Sequence, residues 1–463
     1  MFYGRTEELN KLNEMYNSNK FEFAVMYGRR RVGKTTLIRE FIKDKKAIFF
    51  AASESTSADN LLSLSRCIGG SNDAPVYRDY ESALSSLFKM ADNERLVFVI
   101  DEYPYLAESH RGISSLLQIA IDHNKDDSKI MLILCGSSMS FMENQVLGYK
   151  SPLYGRRTAQ FKILPFTFFE SLPFFEGFTD INKATLYGVT GGVPEYLSKI
   201  NPGKDVRSNV IDLFLSPSGH FFEEPSNLIK QELREPSTYN VIIESIASGA
   251  SRLNEIATKS GLESNKCAKY LSSLMSLELV SKEHPYGEKT SKKSIYRLED
   301  NMFRFWYRFV FTNTSAVTIG MGAAVYDNEV EPQLNAYMGL IFEDICKQWL
   351  FEQAKRNALP FFVSSLGRWW GTNSKTRSQE EIDIMATKND EALFAECKWS
   401  NSDIDADVYY DLRRKSELFH QSKAHFYIMT KNGFSHKLQE EAKSGGITLI
   451  TVAGMLETVW PAK

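Results

Sequence analysis

The stretch Gly28-Arg29-Arg30-Arg31-Val32-Gly33-Lys34-Thr35 sets two glycines, a lysine and a hydroxyl at the spacing G-x-x-x-x-G-K-[ST], which suits a chain of phosphates. Backbone N–H groups must approach phosphate oxygens closely, so Gly28 and Gly33 stand where a side chain would block the turn. Lys34 is placed to reach the β- and γ-phosphates, and the Thr35 hydroxyl to coordinate Mg²⁺, with Val32 and Thr36 as further nucleotide-contacting candidates. These residue types define a nucleoside triphosphate site.

A second group of chemical residues stands 66 positions beyond Thr35, where the apolar run 96–100 ends in Asp101 and Glu102. Asp101 is expected to hold Mg²⁺ through its water shell and Glu102 to polarise the attacking water. In the loop 152–157, Arg156 is a candidate finger for the nucleotide of a neighbouring subunit, which would make the chain a homo-oligomer; a solvated basic turn is the alternative.

A third group lies far downstream. Asp383, Glu396 and Lys398 fall on two strand-like runs joined at 388–390. Alternation puts Glu396 and Lys398 on one face with Cys397 turned away, and pairing of the two runs brings Asp383 beside them. Two carboxylates can bind Mg²⁺, while a lysine orients or deprotonates the water that attacks a phosphodiester. Glu343, on a helix running toward Leu350, is a further metal ligand candidate. The alternative is a cross-strand salt bridge on a solvated edge, which stabilises little.

The elements needed to position these groups are legible around them. Residues 21–27 read as a buried strand leading into the glycine loop, and 36–41 as the helix leaving it, whose N-terminus favours phosphate. Residues 130–135 form another buried run, followed by Ser137 and Ser138. From 163 to about 234 helical periodicity takes over, as in a helical lid over a nucleotide. Residues 237–298 change rhythm again: helices at 239–247, at 253–257 and from Ser264, then a two-strand excursion carrying Lys282, Lys289, Lys292, Lys293 and Arg297. This is the pattern of a winged helix-turn-helix, with Lys266 and Lys269 on DNA phosphates or, alternatively, a module for protein contacts. The aromatic run 301–310 reads as a helix buried between domains, 312–331 as a polar connection, and 361–363, 424–429 and 447–452 as strands.

The whole chain sets the bounds. Its 463 residues exceed one ordinary core, and 43% hydrophobic with 24% charged residues describe a folded protein. A net charge of −3 argues against a surface that coats nucleic acid, so any basic site is local. Five scattered cysteines without a C-x-x-C pair indicate a reducing compartment and no structural zinc. No apolar run is long enough to span a bilayer, so the expected location is cytoplasmic, with no membrane partner.

Together F-Y-G-R-T-E-E-L at the start, G-R-R-R-V-G-K-T, I-D-E-Y-P-Y-L, C-G-S-S, P-L-Y-G-R-R and T-G-G-V-P-E-Y-L resemble the archaeal-type ATPase family, of the AAA+ and STAND class of P-loop NTPases. The resemblance implies ATP as the nucleotide, Tyr3 and Arg5 as base contacts, Ser137 or Ser138 as a sensor of the γ-phosphate, and Pro194 in a G-x-P element that closes the lid. For Tyr3 and Arg5 simple packing of a helix start, capped by Thr6, is the alternative. The C-terminal pattern is similar to the PD-(D/E)xK nuclease superfamily, which includes members that do not cut. The expected architecture is α/β: a P-loop NTPase core (1–162), helical lid (163–235), winged helix (236–300), linker (301–335) and a restriction-endonuclease-like domain (336–463). The expected function is ATP binding and hydrolysis coupled to action on DNA, with Mg²⁺ as metal. A nucleotide-dependent switch whose C-terminal domains only bind a partner is the alternative.

Overall fold

The computed structural model describes residues 2–288, 293–373 and 376–459. It divides into two compact units, Met1–Pro165 with Val193–Glu195, and Phe166–Gly192 with Tyr196–Lys463.

The first unit is built on strands β1 (Glu22–Tyr27), β2 (Ala47–Ala51), β3 (Leu96–Asp101), β4 (Ile130–Gly136) and β5 (Ala159–Lys162). They pair in parallel in the order β2-β3-β4-β1-β5. Every residue of β3 and β4 is buried, because both faces of the sheet are covered by apolar packing. On one face Phe23, Val25, Phe98, Ile100, Leu132 and Leu134 meet Leu84 and Leu87. On the other, Ala24, Met26, Val97, Val99 and Ile133 meet Leu37, Ile38 and Phe41 of the helix Lys34–Ile42. Each such branched or aromatic side chain contributes about 1.5–3 kcal/mol by leaving water. With β4 between β1 and β3, the phosphate-loop strand and the carboxylate strand are not neighbours. Their C-terminal ends, with that of β4, still open on one edge of the sheet, where ligands of parallel α/β folds bind.

The first helix spans Thr6–Asn17, and its cap is Arg5 at φ 59° instead of Thr6. The Arg5 side chain is buried and gives no capping bond.

In the second unit the helices Asp180–Thr190, Val206–Phe214 and Glu224–Glu232 fill much of the expected lid. Apart from 193–195, the expected lid from 166 onward clusters with the C-terminal portion of the chain. Helices Pro236–Ala247, Leu253–Ser260 and Ser264–Ser276 precede an antiparallel hairpin of β6 (Val280–Glu283) and β7 (Ile295–Leu298). The expected linker is helical. Residues Asn301–Phe305, Thr314–Thr318 and Gly322–Val325 are α-helical, and Trp306–Val310 and Tyr326–Val330 form π-turns leading to the helix Glu331–Lys355. Buried Phe303, Phe305, Tyr307, Phe309, Val317 and Val330 drive this packing, sparse as they become beyond 310.

The C-terminal sheet has the order β12-β11-β10-β9-β8, from β8 (Gly367–Thr372), β9 (Gln379–Lys388), β10 (Glu391–Lys398), β11 (Lys423–Thr430) and β12 (Ile447–Thr451). β8, β9 and β10 are antiparallel, and β10, β11 and β12 parallel. The helix Ala406–Ser416 connects β10 to β11, packing Tyr409 and Leu412 against Ile382, Phe394 and Phe426. The strand expected at 361–363 is irregular; Gly367 to Thr372 takes that place.

Candidate nucleotide site and carboxylate cavity

Gly28 leaves β1 at φ 155°, and a Cβ there would lie 2.2 Å from the Ile163 carbonyl oxygen. The loop therefore tolerates no side chain at this turn. Gly33 closes it at φ 90° and caps the helix Lys34–Ile42. Inside the loop the buried Lys34 ammonium donates to the Gly28 carbonyl at 2.7 Å and the Arg29 carbonyl at 2.9 Å. Burial lowers its pKa below the ordinary lysine value, opposed by Cys135, Glu102 and Asp101. Thr35 Oγ1 donates to Asp101 Oδ2 at 2.8 Å, joining the glycine loop to the end of β3.

Glu102 adopts φ 50°, which turns its carboxylate out of the strand direction. Its Oε2 accepts from Ser137 Oγ at 2.8 Å and from the Ser137 amide at 3.2 Å. Of the two serines, Ser137 is thus the one on Glu102. Arg5 is buried and ties the loop from below, donating to the Val32 carbonyl at 3.3 Å and to the Leu164 carbonyl. This engages Arg5 as a brace of the loop; Tyr3 is half-buried. Pro194 Cγ lies 3.7 Å from where a Gly33 Cβ would stand, so the G-x-P proline borders the loop. Val32 is fully buried and Thr36 exposed on the first helical turn. The sequence did not single out Tyr105, whose hydroxyl accepts from Arg30 at 3.2 Å. Its position three residues after Glu102 was the available signal. Arg156 is held within its own chain by a bidentate pair to Asp122, at 2.8 and 2.6 Å, and donates to the Pro152 carbonyl at 2.8 Å.

In the second unit Asp383 Oδ2 accepts from the Cys397 amide at 2.8 Å, just where β9–β10 pairing stops at Ile384 and Ala395. Lys398 Nζ donates to Glu396 Oε1 at 2.6 Å, and Lys415 lies 3.9 Å from the other Glu396 oxygen. Burial opposes the Lys398 charge, but Glu396, Asp383 and Cys397 together outweigh it and raise the pKa. Glu343 faces a cavity of about 190 Å³ lined also by Asp383, Asp344, Glu283, Arg297 and Arg368. Burial and Asp383 push Glu343 above the ordinary glutamate range; burial and Glu396 do the same for Asp383. Arg368, absent from the sequence reading, stands 4.0 Å from Glu343 and pairs with Glu381. Among the described residues no three His, Cys, Asp or Glu side chains gather in a geometry that holds a metal, so Glu343, Asp383 and Glu396 do not form a ready three-ligand set.

Lys266 and Lys269 are exposed on the helix Ser264–Ser276, and Lys282 on β6. Lys289 and Lys292 lie outside the described residues. All five cysteines are free thiols, and no described helix is long and apolar enough to cross a membrane.

A five-stranded parallel sheet with a glycine loop, a lysine and threonine at its exit, and paired carboxylates two strands away defines a P-loop NTPase. The family "ATPase domain predominantly from Archaea" matches residues 2–200, and "Archaea bacterial proteins of unknown function" matches 306–408. An uncharacterized protein of Methanocaldococcus jannaschii is 36% identical over 428 residues, 90% of this chain and 92% of its own length. An uncharacterized ATP-binding protein of the same organism is 52% identical over 46 residues, 10% of this chain and 78% of its own length. Among solved structures, the Walker-type ATPase of Pyrococcus abyssi is similar at TM-score 0.49 and 19% identity, over 66% of this chain and 96% of that one. The chain belongs to the archaeal ATPase family.

Proposed function

We propose that the chain binds and hydrolyses ATP and uses the cycle to act on DNA. The observation that carries the ATPase reading is the contact of Thr35 with Asp101 beside a Glu102 already held by Ser137. In this reading the loop amides and Lys34 bind the phosphates, and Glu102 orients the attacking water. Thr35 and Asp101 suit Mg²⁺, which would neutralise charge on the β- and γ-phosphates. Pro194 borders the site as part of its closure, and Tyr3 contacts the base. The test is ATP turnover by the purified chain with Mg²⁺, with and without duplex DNA. Turnover that Lys34→Ala removes supports the reading, and a wild type without turnover contradicts it.

The exposed Lys266 and Lys269 support DNA docking through the helix Ser264–Ser276. The clustering of Asp383, Glu396 and Lys398 where β9 and β10 part supports a nuclease-like site that takes a phosphodiester and a divalent cation. A second reading, binding of a partner without cutting, is favoured by one observation: the Arg368 guanidinium, 4.0 Å from Glu343, already places a positive charge beside a carboxylate that would bind the cation. Mg²⁺- or Mn²⁺-dependent nicking of DNA, lost in Lys398→Ala, distinguishes the two.

A further inference from the structure

The cavity that holds Glu343 and Asp383 is completed by a different part of the chain. Glu283 and His284, at the end of β6, and Arg297 of β7 line it together with the helix Glu331–Lys355 and strands β8 and β9. The hairpin is anchored on both sides of this opening. On the sheet side the Tyr286 amide donates to the Arg368 carbonyl at 2.8 Å, and the Thr387 amide donates to the Tyr286 hydroxyl at 3.0 Å. The ring packs so closely over β8 that a Cβ on Gly367 would stand 3.0 Å from it. Trp370 Nε1 adds a bond to the Lys293 carbonyl at 3.0 Å. On the helix side Arg297 pairs with Asp344, and with Glu283 at 3.3 Å.

We propose that the base of the β6–β7 hairpin, Glu283 to Tyr286 with Arg297, is an inhibitory cap on the Glu343–Asp383 cavity, locked by Tyr286 on the sheet and by Arg297 on the helix. The proposal rests on the reading of these carboxylates as functional groups. Closed, the hairpin keeps phosphodiester and cation from the carboxylates. Its lock is electrostatic as well as steric, because Glu283, Glu343, Asp344 and Asp383 surround one small space and Arg297, Arg368 and Lys347 offset part of their charge. Removing Arg297 breaks the ion pairs that tie β7 to Asp344 on the helix and to Glu283, and partly buried carboxylates left without them gain by opening toward water. Removing the Tyr286 ring takes away the surface that holds the hairpin on β8.

The test is carbodiimide labelling of carboxyl groups in the full chain, read by peptide mass spectrometry, which needs no cutting activity. Tyr286→Ala and Arg297→Ala are each expected to raise labelling of Glu343 and Asp383 by about tenfold, and Arg297→Lys to return it toward wild type. Buried Glu224, elsewhere in the same unit, is the reference. Labelling of Glu343 unchanged by either variant overturns the cap, as does a rise matched at Glu224, which marks general loosening. If the carboxylates are not catalytic, wild type and opened variants alike leave DNA and RNA intact with Mn²⁺ while the labelling difference stands, so the two ideas fail separately.

Discussion

Ser137 holds Glu102 through two bonds to one oxygen, a hydroxyl at 2.8 Å and an amide at 3.2 Å. The amide cannot be removed by substitution, but the hydroxyl can. Ser137→Ala therefore leaves the carboxylate loosely aimed. ATP turnover is expected to fall about tenfold with little change in KM, since misorientation of a catalytic group acts on the rate. Steady-state kinetics check this, and an unchanged kcat would separate Ser137 from the chemistry.

Lys34 carries a pH signature. Burial in the loop lowers its pKa, so the ammonium loses its proton at a lower pH than a free lysine. Phosphates favour the charged form, so nucleotide binding raises that pKa and takes up a proton where the nucleotide-free protein has a neutral Lys34. ATP affinity is then full below the lowered pKa and weakens as pH rises through it, starting below the ordinary value of 10.5. Calorimetric titrations at increasing pH, in buffers of different ionisation heat, would show both the weakening and the proton uptake.

Gly28→Ala is expected to damage the first unit itself. The new methyl would meet the Ile163 carbonyl at 2.2 Å in a backbone conformation that L-residues avoid. A cost of about 1–3 kcal/mol is expected from the backbone strain, before any loss of binding. Thermal unfolding without nucleotide measures it.

On the helix Ser264–Ser276, Lys266→Ala and Lys269→Ala should each weaken DNA binding for all sequences alike. Each should lower the salt slope of log K by about one, as expected for loss of one phosphate contact. Titrations at several salt concentrations test this; unchanged slopes would leave the helix with a protein partner.

The chemistry of the first unit was legible because its signals are local. The glycine loop, the apolar run ending in Asp101-Glu102 and the run ending near Ser137 each join a period to a residue type within a few positions. What was not legible depends on distant contacts. Nothing near β4 says that it inserts between β1 and β3, and nothing near Arg5 says that its side chain turns under the loop to Val32. Residues 312–331 read as a connection because they are polar and contain glycine; only packing of Val317, Val325 and Val330 makes them helical. Aromatic Phe361 and Phe362 imitated a strand, while Phe362 is 68% exposed and the real strand β8 begins at Gly367. In the C-terminal site the hairpin between β9 and β10 was readable from 388–390, whereas Arg368 and the docking of Tyr286 were not. Arg368 stands well before Asp383 in the sequence, and Tyr286 sits inside the wing pattern with nothing local to say that it docks on β8.

Glu102 is proposed to activate water in a site that binds ATP without it. Glu102→Gln keeps the size and the Ser137 contact but removes the charge. The decisive measurement is ATP binding and turnover by this variant in parallel: binding like wild type is expected, with turnover reduced by about 10²–10⁴-fold, the usual contribution of a positioned base. Turnover by Glu102→Gln at the wild-type rate would contradict it.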